Sequence, residues 1–467
     1  MGPAGLGRAV ARRGAAGSWN GTLARGILID LYREAVAAVD PGLVLPRHAR
    51  IGQGVWVFER AGRRLALPLP DRASGARLRV IGIGKAAGVM AEGLLASLPP
   101  QECIDEALIV GPDAPPRGSL PGHWRVLAGD HPLPGERSLA AGRTVARFAD
   151  EARPGDRHLV LLTGGASALC AAPPPGVTLA DKTAATRLLM HAGAPIADLN
   201  ALRKHMSMLK GGQLAARLEA RGASVATLAL SDVEGDDGAV IGSGPTVPDP
   251  STFAEARAAL ERHGMWDRTP AAVRAHLEAG IAGARSETPK PGRGEAAFAT
   301  VATLDDALAA SAAAGGRRGL NTLSLRRTLH GDVAEHARQL AAALRGLRGT
   351  APALLLAGGE PVLRVQGDGL GGRMQELALR VALEIAGETD ITLLAAGTDG
   401  IDGPTVAAGA FADGGTLARM AAAGIDARAA LSRSDSHRAM AAAGDLFVPG
   451  ATRTNVADVV VALVGGR

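Results

Sequence analysis

Aromatic side chains are scarce in this 467-residue sequence: one Tyr, four Trp and six Phe, or 2% of the chain. Its cores must therefore be built from Leu, Val, Ile and Ala. The stacking platforms that hold single-stranded nucleic acid are missing too. The net charge is +5, but the basic residues are scattered rather than gathered into a footprint, so no nucleic-acid partner is expected. Cysteine is almost absent. Cys103 and Cys170 are too few for a disulfide framework and make no CxxC metal knuckle, which fits a reducing cytoplasm. Long apolar runs are lacking, so no membrane span is expected. Residues 1–21 contain no acid and no continuous apolar stretch. They read as a disordered basic extension, with a transit peptide as the alternative, rather than as a secretory signal.

Several nucleotide and nucleophile motifs are absent as well. Lys85 is followed by Ala rather than Ser or Thr, so there is no Walker A loop. The protein-kinase signatures are missing. Thr163-Gly164-Gly165-Ala166-Ser167 is not a GxSxG elbow, because Ala168 and Leu169 follow the serine.

Hydrophobic residues make up 47% and charged residues 21%, the balance of a globular chain, and the length requires two or three domains. Leu28, Leu31, Ala35, Val36 and Val39 fall on one face of a helix. Apolar runs at 77–83, 106–110, 158–162, 225–230, 322–325, 353–357, 391–395 and 459–464 read as strands. Helical patterns cover 86–98, a segment from about Ser167, 179–191, 196–219, 334–347 and a segment after Arg373. This alternation predicts an α/β fold with a parallel sheet. The polar, Gly- and Pro-rich stretch 280–296 is the expected domain boundary, giving an N-terminal domain over 22–285 and a C-terminal one over 286–467.

Polar or glycine-rich segments recur just after the apolar strands, at 82–88, 163–168, 231–237, 357–361 and 397–404. In open parallel sheets ligands bind at the carboxyl ends of strands, so these segments are expected to edge a cleft. Gly82, Gly84 and Gly88 form a loosened dinucleotide fingerprint, with Lys85 at its tip as a point charge for phosphate oxygens. Gly164, Gly165 and Ser167 read as an amide nest with a hydroxyl, or simply as a helix cap. Asp232 and Asp236 follow one strand, and Asp399 and Asp402 follow another. Carboxylates so placed suit Mg²⁺ or a base for a substrate hydroxyl; the plain alternative is an Asp- and Gly-rich turn. Gly367–Glu376 combines four glycines, Arg373 and a helix start, an expected anion site. Thr452, Thr454 and Asn455 precede the last strand and could line the same cleft. Together these groups point to phosphoryl transfer, with Lys85 and Arg373 supplying charge and the aspartates a metal site and a base. His131 and His205 are isolated and read as structural.

In this order the segments 82–87, 129–134, 163–169, 209–215, 230–236, 243–250, 371–376, 396–405 and 454–458 resemble the type II glycerate 2-kinases, whose C-terminal part is the MOFRL domain. The resemblance implies two α/β domains around a cleft: an N-terminal one with a Rossmann-like parallel sheet and a smaller C-terminal one of MOFRL type. It implies phosphorylation of D-glycerate at the 2-hydroxyl by ATP with Mg²⁺, in the cytoplasm, with a homodimer allowed. Lys85, Arg373 and Asp232 would be catalytic. Gly84, Gly164, Gly165, Ser167, Lys210, Gly371, Gly372, Thr398 and Asn455 would bind substrate or nucleotide, and Asp236, Asp399 and Asp402 the metal. The chain departs from the family pattern at Thr163, Ala166, Ala457 and Met374. Met374 stands where the family usually has Asn, and a thioether beside Arg373 cannot donate to an oxyanion. An NAD(P)H-dependent hydroxypyruvate reductase and a catalytically weakened phosphometabolite binder are the alternatives.

Overall fold

The computed structural model describes residues 21–98, 104–112, 120–292, 297–325, 329–350 and 352–465. The expected N-terminal extension (all but Gly21) and Cys103 lie outside the described residues. The chain divides into two compact units: Pro41–Ala302, and the residues up to Asp40 together with Thr303 onward. No helix among the described residues is long and apolar enough to cross a membrane.

The Pro41–Ala302 unit begins with an antiparallel three-stranded sheet, β1 (Ala49–Gly52), β2 (Val55–Arg60) and β3 (Arg63–Pro68). Six parallel strands follow: β4 (Leu78–Ile83), β5 (Glu106–Gly111), β6 (Arg125–Ala128), β7 (Arg157–Leu162), β8 (Ser224–Leu230) and β9 (Ala297–Ala302). Their order is β6-β5-β4-β7-β8-β9. The chain therefore builds outward from β4 in one direction and from β7 in the other. The gap between these two strands is the topological switch point of a Rossmann-type sheet. Every residue of β4 is buried, which is why it reads as an apolar run rather than an alternation. The helices Glu136–Asp150 and Gln213–Glu219 cover one face, packing Val145, Phe148, Leu214 and Leu218 on Ile81, Leu108 and Val160.

The second unit is built on a seven-stranded mixed sheet: β10 (Asn321–Ser324), β11 (Leu329–Asp332), β12 (Ala353–Val362), β13 (Ile391–Gly397), β14 (Gly409–Asp413), β15 (Leu446–Phe447) and β16 (Asp458–Val464). β10 and β11 run parallel to β12, and every other pairing is antiparallel. Alternate residues of β12 serve opposite cores, as the two-residue period of a strand requires. Leu355 and Ala357 pack with the helices Val333–Gly346 and Arg373–Glu384. Leu354 and Leu356 pack with the helices Gly21–Ala38 and Leu304–Arg317.

Three expectations are corrected. Residues 280–296 do not lead into the second unit, because β9 after them is the edge strand beside β8; the change of unit comes at Thr303. The first helix belongs with the second unit, not with an N-terminal domain over 22–285. Its Leu28, Leu31 and Tyr32 pack against Leu394, Val459 and Val461, and Arg25 pairs with Asp413 and Asp445. Finally, 196–219 is two helices, Ile196–His205 and Gln213–Glu219, parted by left-handed backbone at Gly211 and Gly212.

Candidate functional site

In the six-stranded unit, the chain leaves β4 and β7 at the switch point. Gly84 takes φ +136°, and a side chain there would run into Thr163, so only glycine fits. The two loops are laced together. Thr163 N donates to Ile83 O at 3.0 Å, Lys85 N to Gly164 O at 2.9 Å and Ala86 N to Thr163 Oγ1 at 3.1 Å. Lys85 stands exposed at the tip, its stem beside Gly165. The His131 ring lies against Gly165 as well, so this histidine is not isolated as expected. His205 is structural: its ring lies between Ala201 O at 2.8 Å and Glu287 at 3.0 Å.

The nest residues lead to a second cluster. The helix at Ala166–Leu169 is a single turn, and Ser167 is not its cap. Ser167 Oγ instead accepts from Lys210 Nζ at 2.8 Å and lies 2.9 Å from Ser243 Oγ. Lys210 is buried in the turn that divides the two helices, and burial holds its ammonium well below the usual lysine range. Asp232 and Asp236 are half-buried just beyond β8, the strand next to β7. Asp236 takes φ +55°. The structure thus gathers Gly84, Lys85, Gly164, Gly165, Ser167, Lys210, Asp232 and Asp236 within or beside the carboxyl-terminal loops of β4, β7 and β8.

In the seven-stranded unit, Arg373 opens the helix Arg373–Glu384. Its Nε donates to Asp458 Oδ2 at 2.5 Å, and Nη1 donates to Glu360 Oε1 at 2.7 Å. Burial works against the charge, but the two carboxylates outweigh it and hold the guanidinium protonated beyond its ordinary range. Asp458 begins β16 between Gly359 and Gly397 on the flanking strands. Burial pushes its carboxyl up to about 7, against the pull of Arg373. Neither Asp458 nor Glu360 carries an expected role of its own, although Glu360 lies in the segment 357–361 expected to edge the cleft. The segment ThrAsnValAlaAsp did contain Asp458, but its partner lies 85 residues away.

Much of the expected anion loop proves to be internal packing. Gly369 N donates to Arg433 O at 2.9 Å, and Leu370 N to Asp435 Oδ1 at 3.1 Å. The helix-start amides are also taken. Met374 N and Gln375 N donate to the Asp402 carboxylate, at 2.8 Å for Gln375. Asp402 lies over Gly372, where any side chain would collide with it. The anion at this helix N-terminus is the protein's own. Asp402 is thus a cap rather than an open metal ligand. Burial raises its carboxyl, and the Gln375 and Met374 amides pull it back. Gly371 packs against Ser436. Thr398 is fully buried, and its hydroxyl is spent between Ala457 O at 2.6 Å and Val456 N at 2.9 Å. Asn455 Oδ1 accepts from Ala457 N at 3.4 Å. Met374 does not face the site either, because its side chain is fully buried in the core beneath the helix.

The metal expectation fits poorly as a protein-made cage. Among the described residues no three His, Cys, Asp or Glu side chains are grouped to hold an ion. Asp236 and Asp399 lie in different units. Asp399 and Asp458 both direct Oδ1 toward the bare side of Gly397. That is one or two carboxylates, the number Mg²⁺ takes when phosphates and water supply the rest.

Two family models match successive parts of the chain. A family described as a domain of unknown function, DUF4147, matches residues 27–278, and the MOFRL family matches 353–458. A protein of Agrobacterium vitis, named provisionally as a hydroxypyruvate reductase, is 37% identical over 96% of each chain. The glycerate 2-kinase of Pyrococcus horikoshii is 32% identical over 95% of this chain and 98% of its own. The crystal structure of glycerate kinase from Thermotoga maritima superposes with a TM-score of 0.77 at 30% identity, covering 94% of this chain and 99% of that one.

Proposed function

Because the chain belongs to the glycerate kinase family with a C-terminal MOFRL domain, we propose that this kinase transfers the γ-phosphoryl group of ATP to the 2-hydroxyl of D-glycerate, giving 2-phosphoglycerate and ADP. The observation that supports this reading most is the Gly84–Lys85 turn, hydrogen-bonded to Gly164 at the switch point of a Rossmann-ordered sheet. That is where such sheets hold phosphorylated ligands.

Phosphoryl transfer needs an in-line acceptor, spread positive charge and somewhere for the hydroxyl proton to go. The glycerate oxygen forms a bond to the γ-phosphorus as the bond to the bridging oxygen breaks and ADP departs. Asp232 receives the hydroxyl proton. Lys85 neutralises charge on the transferring group, with the Gly164 and Gly165 loop beside it and Lys210 and Ser167 binding substrate. Arg373 meets a further anionic oxygen, held in place by Asp458 and Glu360. Mg²⁺, when bound with ATP, screens the phosphate charge, and Asp399 is the carboxylate proposed to face it.

The test is a product assay with D-glycerate, ATP and Mg²⁺ that resolves 2- from 3-phosphoglycerate, run on the wild type, Lys85→Ala and Arg373→Ala. The expected result is 2-phosphoglycerate, with kcat/KM down at least a hundredfold in both variants. Near-wild-type turnover in both would sink the site assignment, and 3-phosphoglycerate as product would sink the regiochemistry. A parallel cuvette with NADH and hydroxypyruvate should show no nicotinamide oxidation; steady oxidation would favour the reductase.

A further inference from the structure

Ser243 stands in left-handed backbone, φ +63°, between Gly242 and Gly244, which are left-handed too. Glycine takes that conformation freely, and a residue with a Cβ is strained in it. A third glycine would relax the turn, yet a serine is there. Strained backbone of this kind clusters where the side chain it carries is used. Here the side chain is one buried hydroxyl with two partners. Ser243 Oγ donates to Asn200 Oδ1 at 3.2 Å and lies 2.9 Å from Ser167 Oγ. The same turn grips the Lys210 turn. Gly211 N donates to Ser243 O at 3.0 Å, Gly212 N to Gly244 O at 2.7 Å and Lys210 Nζ to Gly242 O at 3.3 Å. Lys210 Nζ also donates to Ser167 Oγ at 2.8 Å. Ser243 is thus the crossing point between Asn200, buried on the helix Ile196–His205, and two residues of the candidate site.

This chain of hydrogen bonds has one direction. An amide oxygen only accepts, so Ser243 gives its single proton to Asn200. Ser243 can then only accept from Ser167, which turns the Ser167 proton inward. Lys210 occupies one of the two lone pairs on Ser167 Oγ. Ser167, half-buried, keeps one lone pair and no donor for a ligand. An anionic oxygen gains nothing from such an atom, whereas a hydroxyl can donate to it.

We propose that Ser243, oriented by Asn200, is a positioning residue that makes Ser167 a hydrogen-bond acceptor for a hydroxyl group of the substrate. The assignment rests on the reading above in which Ser167 and Lys210 bind D-glycerate, and it names the part of the substrate that Ser167 selects.

The experiment uses the full chain as wild type, Ser243→Gly, Asn200→Leu and Asn200→Asp. Calorimetry gives Kd for D-glycerate, for D-lactate, which lacks the 3-hydroxyl, and for 3-hydroxypropionate, which lacks the 2-hydroxyl. Steady-state assays give KM for D-glycerate and for ATP. Wild type should bind one analogue about tenfold or more weakly than D-glycerate, and that analogue identifies the hydroxyl. Ser243→Gly suits the left-handed turn and removes only the hydroxyl. It should raise Kd and KM for D-glycerate about tenfold or more, leave KM for ATP within twofold and narrow the gap to the analogue below threefold. Asn200→Leu should do the same, and Asn200→Asp, which keeps an acceptor, should stay within threefold of wild type. A D-glycerate Kd within twofold of wild type in Ser243→Gly overturns the proposal. So does a joint rise of both KM values, the mark of a merely structural residue, or an Asn200→Asp protein as impaired as Asn200→Leu. If wild type binds D-glycerate but makes no phosphorylated product, the kinase reading has failed separately and the Kd values alone decide this one.

Discussion

Arg373 and Asp458, 85 residues apart in sequence, are joined at 2.5 Å where the helix Arg373–Glu384 meets the start of β16. The guanidinium is fixed by a carboxylate that burial has made reluctant to ionise. Asp458 would carry a proton below about 7 in the fold, against 3.8 as its ordinary value. Its contribution to stability is therefore complete below about 4 and is lost as pH rises through 7. Between pH 4 and 8 the wild type should lose stability relative to Asp458→Asn by about 4 kcal/mol at most. Urea midpoints across that range check this, and parallel curves would refute it. With the carboxylate gone Arg373 is less firmly placed, so kcat should also drop about tenfold or more.

Asp402 caps the same helix through space. Asp402→Ala should cost about 2 kcal/mol in urea unfolding, the loss of an N-cap with its buried amides left unsatisfied. Were Asp402 a metal ligand instead, the variant would keep its stability and demand more Mg²⁺ for half-maximal rate.

Met374 contributes to the core rather than to specificity. Truncation to Ala should lower stability by about 2–4 kcal/mol, as a large-to-small change at a fully buried site does. KM for D-glycerate should stay within twofold of wild type in steady-state assays. A large KM change in a well-folded variant would return Met374 to the ligand site.

His158, in β7, is fully buried and neither ring nitrogen has a partner. Burial, helped by Arg79, pushes its pKa down to about 4 from 6.5. The unfolded chain then binds a proton that the fold refuses. Stability is complete above about 6.5 and falls as pH drops toward 4, by about 3 kcal/mol. His158→Leu removes this acid-sensitive step. The gap between its stability and that of wild type should change by that amount between pH 7 and 4.

Ala457 holds φ +72° beside Asp458. For a residue with a Cβ the left-handed region costs about 1–2 kcal/mol. Ala457→Gly should therefore raise the urea midpoint, net of glycine's greater chain entropy, by up to about 1 kcal/mol.

What could be read from the sequence follows a physical line. β4, β5, β7 and β8 were legible because strands of a covered parallel sheet are apolar on both faces. The short, part-exposed strands β1 and β15 carry little such signal. Lys85 and Gly164 could be placed at one edge because strand-end loops of a doubly wound sheet converge. Asp402 over Gly372 and Asp458 on Arg373 could not. Each is a contact across turns of the fold, and nothing in local periodicity encodes it.

The first helix also sets a timetable for synthesis. Tyr32 bonds to Gly397, and Arg25 to Asp413 and Asp445, partners 365, 388 and 420 residues downstream. The intervening Pro41–Ala302 unit is complete before any strand of the seven-stranded sheet has been made. At about 5–20 residues per second the ribosome takes on the order of 20–80 s to deliver those partners. Throughout that interval the Leu28–Leu31–Ala35 stripe has no sheet of its own to bury it. The first helix can therefore dock only once the C-terminal strands exist, and a tag fused ahead of it should interfere with the last folding step rather than the first.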